Sequence, residues 1–212
     1  MPLGCSARRW AQVAPRTPDV RLVSDVHGAF GALQRVGQMP GPLLVLGDLV
    51  NLIDYRTTEG IITDIVGSDL IVATVAARMR GDDDEARRIW VEGVAPLDID
   101  VRAEVAKAME GEYRRMSVAL EGAEAYVIHG NVDDPDLLRR HLPDGCTYVD
   151  GEVVDIGGII VGFVGGGIPR IGSSGEVDDD TMRERLTALG PVDVLCTHVA
   201  PAITMLAEDV IG

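Results

Sequence analysis

Five short apolar runs constrain the fold of this chain more than any other feature. They are rich in β-branched residues and almost free of polar interruptions, which is typical of strands covered on both faces. The fourth run divides into two strands at Gly157-Gly158. The pattern predicts an α/β fold. The runs are VRLVSD at 20–25, GPLLVLGD at 41–48, AEAYVIHGN at 123–131, EVVDIGGIIVGFVGGG at 152–167 and VDVLCTHVAP at 192–201.

Residues 52–122 differ from these runs because their apolar side chains recur at helical spacing. A helix can begin at Ser68 and end before Gly81, which is a common helix stop. Apolar residues at steps of three or four between positions 101 and 120 predict one long amphipathic helix. We interpret 52–122 as a helical insertion between two strands of the core.

Length and charge limit the domain count and the partners. The 212 residues, 46% of them hydrophobic, suit one α/β domain with a sizeable core. We therefore assign 1–212 to a single domain, with a loose N-terminal arm at 1–18. The formal net charge of −15 repels polyanions, which excludes nonspecific binding of nucleic acid.

The cysteines and the N-terminus bear on the location. Cys5, Cys146 and Cys196 are far apart and form no C-x-x-C pair, which indicates a reducing compartment rather than a disulfide framework. The first residues lack the apolar segment of a signal peptide, and no apolar run reaches the ~18 residues of a membrane span. We expect a cytoplasmic protein that has no contact with membranes.

Metal-ligand residue types stand at the ends of four of the apolar runs. Asp25 ends the first run and His27 comes two residues later, Asp48 ends the second, Asn131 ends the third and His198 lies near the end of the last. These side chains are oxygen and nitrogen donors of the kind that bind Mn, Fe or Zn. Because the carboxyl ends of strands converge on one edge of a sheet, the set predicts a metal site there. Asp25 and His27, two positions apart, would share a face of an extended strand.

Taken singly, each of these residues has an ordinary structural explanation. Asp25 can cap a helix, and Gly-Asp and Gly-Asn pairs are common in turns. His198 can end a strand with its ring hydrogen-bonded. Their occurrence together, each at the end of an apolar run, favours the metal site over these alternatives.

The ordered motifs D-x-H, G-D, G-N and T-H resemble those of the calcineurin-like metallophosphoesterases. The resemblance covers about 20–50 and 123–201, and the insertion has no part in it. It implies a four-layer αββα sandwich that holds two divalent metal ions (Mn, Fe or Zn) and hydrolyses a phosphate ester through a metal-activated hydroxide. By the same resemblance, Asp25 and His27 would bind the first metal ion, Asp48 would bridge the two ions, and Asn131 and His198 would bind the second.

Two further roles follow from the resemblance. Asn131 would also lie near the phosphate, as a catalytic residue. Asp133 would orient His27 as a second catalytic residue, although a helix cap is an equal alternative for it. Val132 stands where many family members carry the histidine that protonates the leaving group, so this chain should be slow on alkyl phosphates. The G-N-V-D form resembles the small bacterial and archaeal phosphodiesterase-like branch.

Two other motifs of the family are altered or missing. Asn51 and Leu52 replace the Asp and Arg of the protein phosphatase branch, which argues against a phosphoprotein substrate. Residues 1–212 also contain no G-H-x-H motif, with which the family usually ends; either that motif follows residue 212 or each metal ion would lose one ligand. His129 and His141 are poor substitutes, because we expect the first to be packed in the interior and the second to lie at an exposed helix end.

The sequence supports two functions. The first is a metal-dependent phosphoesterase acting on a small phosphodiester or a nucleotide-like molecule. The second is a non-catalytic binding or scaffold protein on the same fold, suggested by Val132 and the missing motif. The amphipathic insertion at 52–122 can cover the site, bind a partner or join a second copy of the chain in a homo-oligomer, and its apolar face suits all three.

Overall fold

The computed structural model describes residues 19–54, 56–169 and 172–200, and the predicted arm at 1–18 lies outside them. The strands are β1 (Arg21–Val23), β2 (Leu43–Leu46), β3 (Ala125–Ile128), β4 (Cys146–Tyr148), β5 (Glu152–Ile156), β6 (Ile159–Val164) and β7 (Val194–Thr197). The helices are α1 (Phe30–Gly37), α2 (Ile61–Val66), α3 (Ser68–Met79), α4 (Asp83–Val94), α5 (Val101–Leu120), α6 (Pro135–His141) and α7 (Asp179–Ala188), with a short 3-10 helix at Ala95–Leu97.

The strands form two sheets. The first sheet is parallel throughout, in the order β1-β2-β3-β4. In the second sheet, β5 and β6 form an antiparallel hairpin and β7 pairs parallel to β6. The hairpin turns at Gly157 and Gly158, whose φ values of 63° and 90° suit a two-residue turn that needs positive φ at both positions. The predicted α/β class and the division of the fourth apolar run are confirmed.

Strand β2 is buried on both faces, which accounts for its uninterrupted apolar sequence. Leu43 and Val45 belong to an apolar cluster that includes residues of α1, α5 and α6. Leu44 and Leu46 belong to a second cluster, which includes Phe163 of β6 and residues of β3, β5 and β7. Alternate residues of one strand therefore pack against helices on one face and against the other sheet on the other face.

The region predicted as an insertion is helical, and it contains α2 to α5. The 20-residue helix α5 buries Met109, Tyr113 and Met116 against the first sheet. Helices α3 and α4 pack against each other and leave Met79 and Val91 exposed. Within the described part of the chain, no helix combines the length and apolar character that crossing a membrane requires.

Candidate metal centre

Asp25, His27 and Asp48 converge in the loops that follow β1 and β2. The His27 Nε2 atom lies 3.8 Å from Asp25 Oδ1 and 3.8 Å from Asp48 Oδ2. The three ligand atoms lie within 4.8 Å of one another, which is close enough for one cation to contact all three. The Asp25 side chain is 61% exposed and that of Asp48 only 6%, so this group is open to solvent on one side.

His198 and Asn131 complete the set on the other side of Asp48. The His198 Nε2 atom lies 3.5 Å from Asp48 Oδ1 and 3.2 Å from Asn131 Oδ1. The two oxygens of the Asp48 carboxylate therefore face different imidazoles, Oδ2 facing His27 and Oδ1 facing His198. All five residues predicted as metal ligands come together at one place, at the ends of four strands from both sheets.

The hydrogen bonding of His198 fits a cation beside it. Its Nδ1 atom lies 2.8 Å from the carbonyl oxygen of Leu46, which can only accept a hydrogen bond, so Nδ1 carries the hydrogen. In the neutral ring, the lone pair of Nε2 then points at the oxygens of Asp48 and Asn131. A lone pair that faces two oxygen acceptors is stabilised by a positive charge between them, which is what a divalent ion would supply.

The backbone at three of the ligands is strained. Asp25, His27 and Asp48 have φ values of 54°, 43° and 52°, in the left-handed region that side chains other than glycine rarely adopt. Strand β1 already ends at Val23, so Asp25 and His27 do not lie on one face of a strand as predicted. The convergence was predicted for the wrong reason, because a turn of left-handed residues produces it.

Backbone hydrogen bonds hold this turn against the loop after β2. The Asp25 amide donates to the Gly47 carbonyl at 3.1 Å, and the His27 amide donates to the Asp48 carbonyl at 2.9 Å. The Gly28 amide continues the series by donating to the Leu49 carbonyl at 2.9 Å. These bonds fix the two ligand-bearing loops to each other.

Two glycines let the loops after β2 and β3 approach each other. A Cβ atom on Gly47 would overlap the backbone of Gly130, and a Cβ atom on Gly130 would overlap the Asp48 side chain. Gly167 in turn packs against Asn131, so the glycine run at 165–167 borders the centre. The absence of side chains at these positions is what allows the loops that carry Asp48 and Asn131 to lie side by side.

Asp133 lies in the interior and does not orient His27. Both of its oxygens are engaged elsewhere, by the Gly130 amide at 2.8 Å, by the amides of Leu49 and Val50, and by the Tyr113 hydroxyl. Burial raises the pKa of its carboxyl. The predicted contact with His27 is wrong, since Asp133 ties the ligand-bearing loops together from beneath.

The helix-cap alternative for Asp133 is also wrong by one residue. Asp134 caps α6 by accepting hydrogen bonds from the amides of Asp136 and Leu137. The adjacent acidic residues therefore divide two structural tasks between them. The sequence does carry a signal for this division, because proline is favoured at the first helical position and Asp134 is the residue directly before Pro135.

The remaining histidines lie outside the group of ligands. His129 is buried, and its Nδ1 atom lies 2.7 Å from the Tyr148 hydroxyl and 3.8 Å from Asp150. Burial lowers the pKa of His129, and the interior position predicted for it is confirmed. His141 ends α6 as predicted but is only 18% exposed, because its ring lies 2.9 Å from Glu110 on α5.

Val132 contributes to the centre through its backbone alone. Its amide donates to Asp48 Oδ1 at 3.1 Å, and its side chain is buried. An apolar side chain at this position supplies no proton.

Comparison of the chain with models of known protein families, with curated proteins and with solved structures finds no match.

Proposed function

We propose that this protein is a metal-dependent phosphoesterase that hydrolyses a small phosphodiester or a nucleotide-like molecule. One observation carries the proposal: the Asp48 carboxylate faces His27 with one oxygen and His198 with the other. A carboxylate placed in this way is suited to bridging two cations. Two adjacent cations, when bound, supply charge neutralisation and an activated water for attack on a phosphoryl group.

The ligand sets that we propose are unequal in their exposure. Asp25 and His27 would hold one ion at the open side, where their side chains are 61% and 40% exposed. Asn131 and His198 would hold the other in the interior, where the His198 side chain is 8% exposed. Asp48 would contact both ions. The residues are carboxylates, imidazoles and an amide oxygen, which are compatible with Mn, Fe or Zn.

The substrate class follows from charge and from Val132. The chain carries a net charge of −15, so a large polyanion is disfavoured and a small phosphate ester near bound cations is favoured. The buried Val132 side chain cannot protonate a leaving group, a function that is worth about 10²- to 10⁴-fold in rate. We therefore propose substrates whose leaving group departs without protonation.

The same proposal includes the αββα arrangement of layers. Its support is the position of β2 and β3 between α5 on one face and β6 on the other. Helix α7 contacts β6 and would form the outer layer beyond the second sheet. A cytoplasmic location agrees with the free thiols of Cys146 and Cys196.

The experiment is a measurement of bis(p-nitrophenyl) phosphate hydrolysis with added Mn²⁺. The leaving group of this substrate is good, so the missing acid at position 132 does not mask the activity. Asp48→Asn is the test variant, because it weakens both proposed ion sites at once. Asp84→Asn is the control, since Asp84 is an exposed carboxylate on α4. We expect turnover in the wild type and the control, and a loss of at least about 10³-fold in Asp48→Asn.

Turnover that is independent of Mn²⁺, or equal in the wild type and Asp48→Asn, would contradict the proposal.

A wild-type protein that binds no Mn²⁺ and hydrolyses nothing would favour the second candidate, a binding or scaffold protein. The observation behind that candidate is the exposed apolar surface of the insertion. Val72, Met79 and Val91 are 50%, 82% and 60% exposed, which suits association with a second copy of the chain.

A further inference from the structure

Tyr113 lies at the junction of the insertion and the candidate metal centre. It belongs to α5, and its side chain has no exposed surface. Its hydroxyl accepts a hydrogen bond from the Asp134 amide at 2.7 Å and donates one to Asp133 Oδ1 at 3.2 Å. The hydroxyl thus uses both of its hydrogen-bonding functions on two consecutive residues of the loop that follows Asn131.

Asp133 connects Tyr113 to both ligand-bearing loops through further hydrogen bonds. Its Oδ1 atom accepts from the amides of Leu49 and Val50, at 3.0 and 3.4 Å, and its Oδ2 atom accepts from the Gly130 amide at 2.8 Å. Leu49 directly follows Asp48 in the chain, and Gly130 directly precedes Asn131. A single buried carboxylate therefore joins Leu49, the residue after Asp48, to Gly130, the residue before Asn131.

We infer that Tyr113 is a positioning residue of the metal centre, acting through Asp133 on the loops that carry Asp48 and Asn131. The structural part of this inference rests on the described hydrogen bonds, and its consequence for metal binding rests on the proposed function. The consequence is that α5 docking and metal affinity are coupled. Because such coupling is reciprocal, a partner that moves α5 changes metal affinity, and metal binding stabilises the docked α5.

The competing explanation is that Tyr113 merely fills the core. Its ring stacks on that of His141 with centroids 6.5 Å apart, and it belongs to the cluster between α5 and the first sheet. Replacement by Phe keeps the ring and removes only the hydroxyl. Tyr126→Phe is the matched control: the Tyr126 ring packs against Phe163, and its hydroxyl has no hydrogen-bond partner among the residues that the structure describes.

The first measurement is amide hydrogen exchange by NMR, without metal, in the wild type and both variants. We expect exchange at Leu49, Val50 and Gly130 to accelerate about 10- to 100-fold in Tyr113→Phe, relative to the amides of β2 in the same sample. The comparison with β2 removes any general loss of stability. In Tyr126→Phe the same ratio should stay at the wild-type value. Two results would overturn the inference: an acceleration of equal size at all amides of the Tyr113→Phe protein, or no acceleration at these three amides.

A second substitution keeps the test decisive if Tyr113→Phe does not fold. Incorporation of 3-fluorotyrosine at position 113 preserves the shape and strengthens the hydroxyl as a donor. We expect the amide proton shifts of Leu49 and Gly130 to move, and 3-fluorotyrosine at position 126 to leave them unchanged. Unmoved shifts with the label at 113 would contradict the inference.

A third measurement separates this inference from the proposed function. We expect Mn²⁺ to bind Tyr113→Phe about 10-fold more weakly than the wild type by calorimetry, and Tyr126→Phe to match the wild type. Equal affinity in all three proteins would refute the coupling. A wild type that takes up Mn²⁺ but hydrolyses no ester would remove only the proposed function. A wild type without Mn²⁺ binding would refute the proposed function and the coupling together, while the exchange data would still decide the positioning of the loops.

Discussion

Gly130→Ala is the smallest change that tests the close approach of the two ligand-bearing loops. Gly130 is not among the glycines with positive φ, so its backbone conformation is open to alanine. The added Cβ atom, however, would lie 2.8 Å from Asp48 Cγ and closer still to the Oδ1 and backbone nitrogen atoms of Asp48. The entire cost of the substitution is therefore a collision with the proposed bridging ligand.

The size of the effect follows from ordinary contact distances. Carbon atoms pack at about 3.5–4.0 Å, so Asp48 or the loop at Gly130 has to move by about 1 Å. Metal–ligand distances tolerate only about 0.2 Å of change. We expect Mn²⁺ affinity to fall at least about 10-fold, and the overpacking to lower the free energy of unfolding by about 1–3 kcal/mol.

The assay combines calorimetric titration of Mn²⁺ with urea unfolding, and Gly111→Ala is the control. Gly111 lies within α5, and a Cβ atom there would meet nothing within 4 Å. Alanine at that position should raise the free energy of unfolding by about 0.5–1 kcal/mol and leave metal affinity unchanged. A Gly130→Ala protein with wild-type affinity and stability would refute the argument, because it would mean that the loops do not approach as closely as described.

The remaining predictions concern thiol reactivity and a helix cap. Burial raises the pKa of the Cys146 thiol to about 11 and also raises that of Cys196. At pH 8 iodoacetamide should therefore alkylate native Cys146 about 100-fold more slowly than an ordinary thiol, as followed by mass spectrometry of each site; full labelling within the time of an ordinary thiol would contradict this. The Asp178 carboxylate caps α7 by accepting from the Thr181 amide, which lowers its pKa below the usual 3.8. The stabilisation by this cap is present above pH 3.8 and is lost as the pH falls through the lowered pKa. The difference in urea midpoint between the wild type and Asp178→Ala should therefore shrink in acid. A difference that is independent of pH would exclude this cap.

Much of the fold could be predicted because burial leaves its mark directly on the sequence. Strand β2 lies between helices and a second sheet, so every residue of Leu43–Leu46 is apolar and the strand is recognisable. Strand β4 and helix α7 left no such mark. Strand β4 has three residues, one of them exposed, and α7 has no buried residue at all. Elements at the margin of the core are placed by their neighbours rather than by their own pattern.

The convergence of the candidate ligands could be predicted for a similar reason, since they stand where apolar runs stop. The residues that hold them in place, Tyr113 and Asp133, could not be predicted in these roles. Tyr113 occupies a position of α5 at which any large apolar side chain would satisfy the helical period. Its hydroxyl matters because of Asp133, 20 residues away in sequence, and that partnership is visible only once the chain is folded. The family resemblance predicts that Asp133 orients His27, but the direction of its side chain depends on the folded chain and cannot be read from its sequence proximity to Asn131.

Backbone strain at the ligands explains why local rules fail at this place in particular. Left-handed φ at Asp25, His27 and Asp48 costs of the order of 1–3 kcal/mol at each residue and is disfavoured by the residues themselves. What holds it is distant in sequence: the Asp25 and His27 amides bond to the loop after β2, and Asp133 bonds to the amides that follow Asp48. Local preference is thus overruled by long-range hydrogen bonds where chemistry-bearing side chains must converge. Under the proposed function, strained candidate ligands held by a buried carboxylate would form a site that is preorganised for a cation rather than shaped by it.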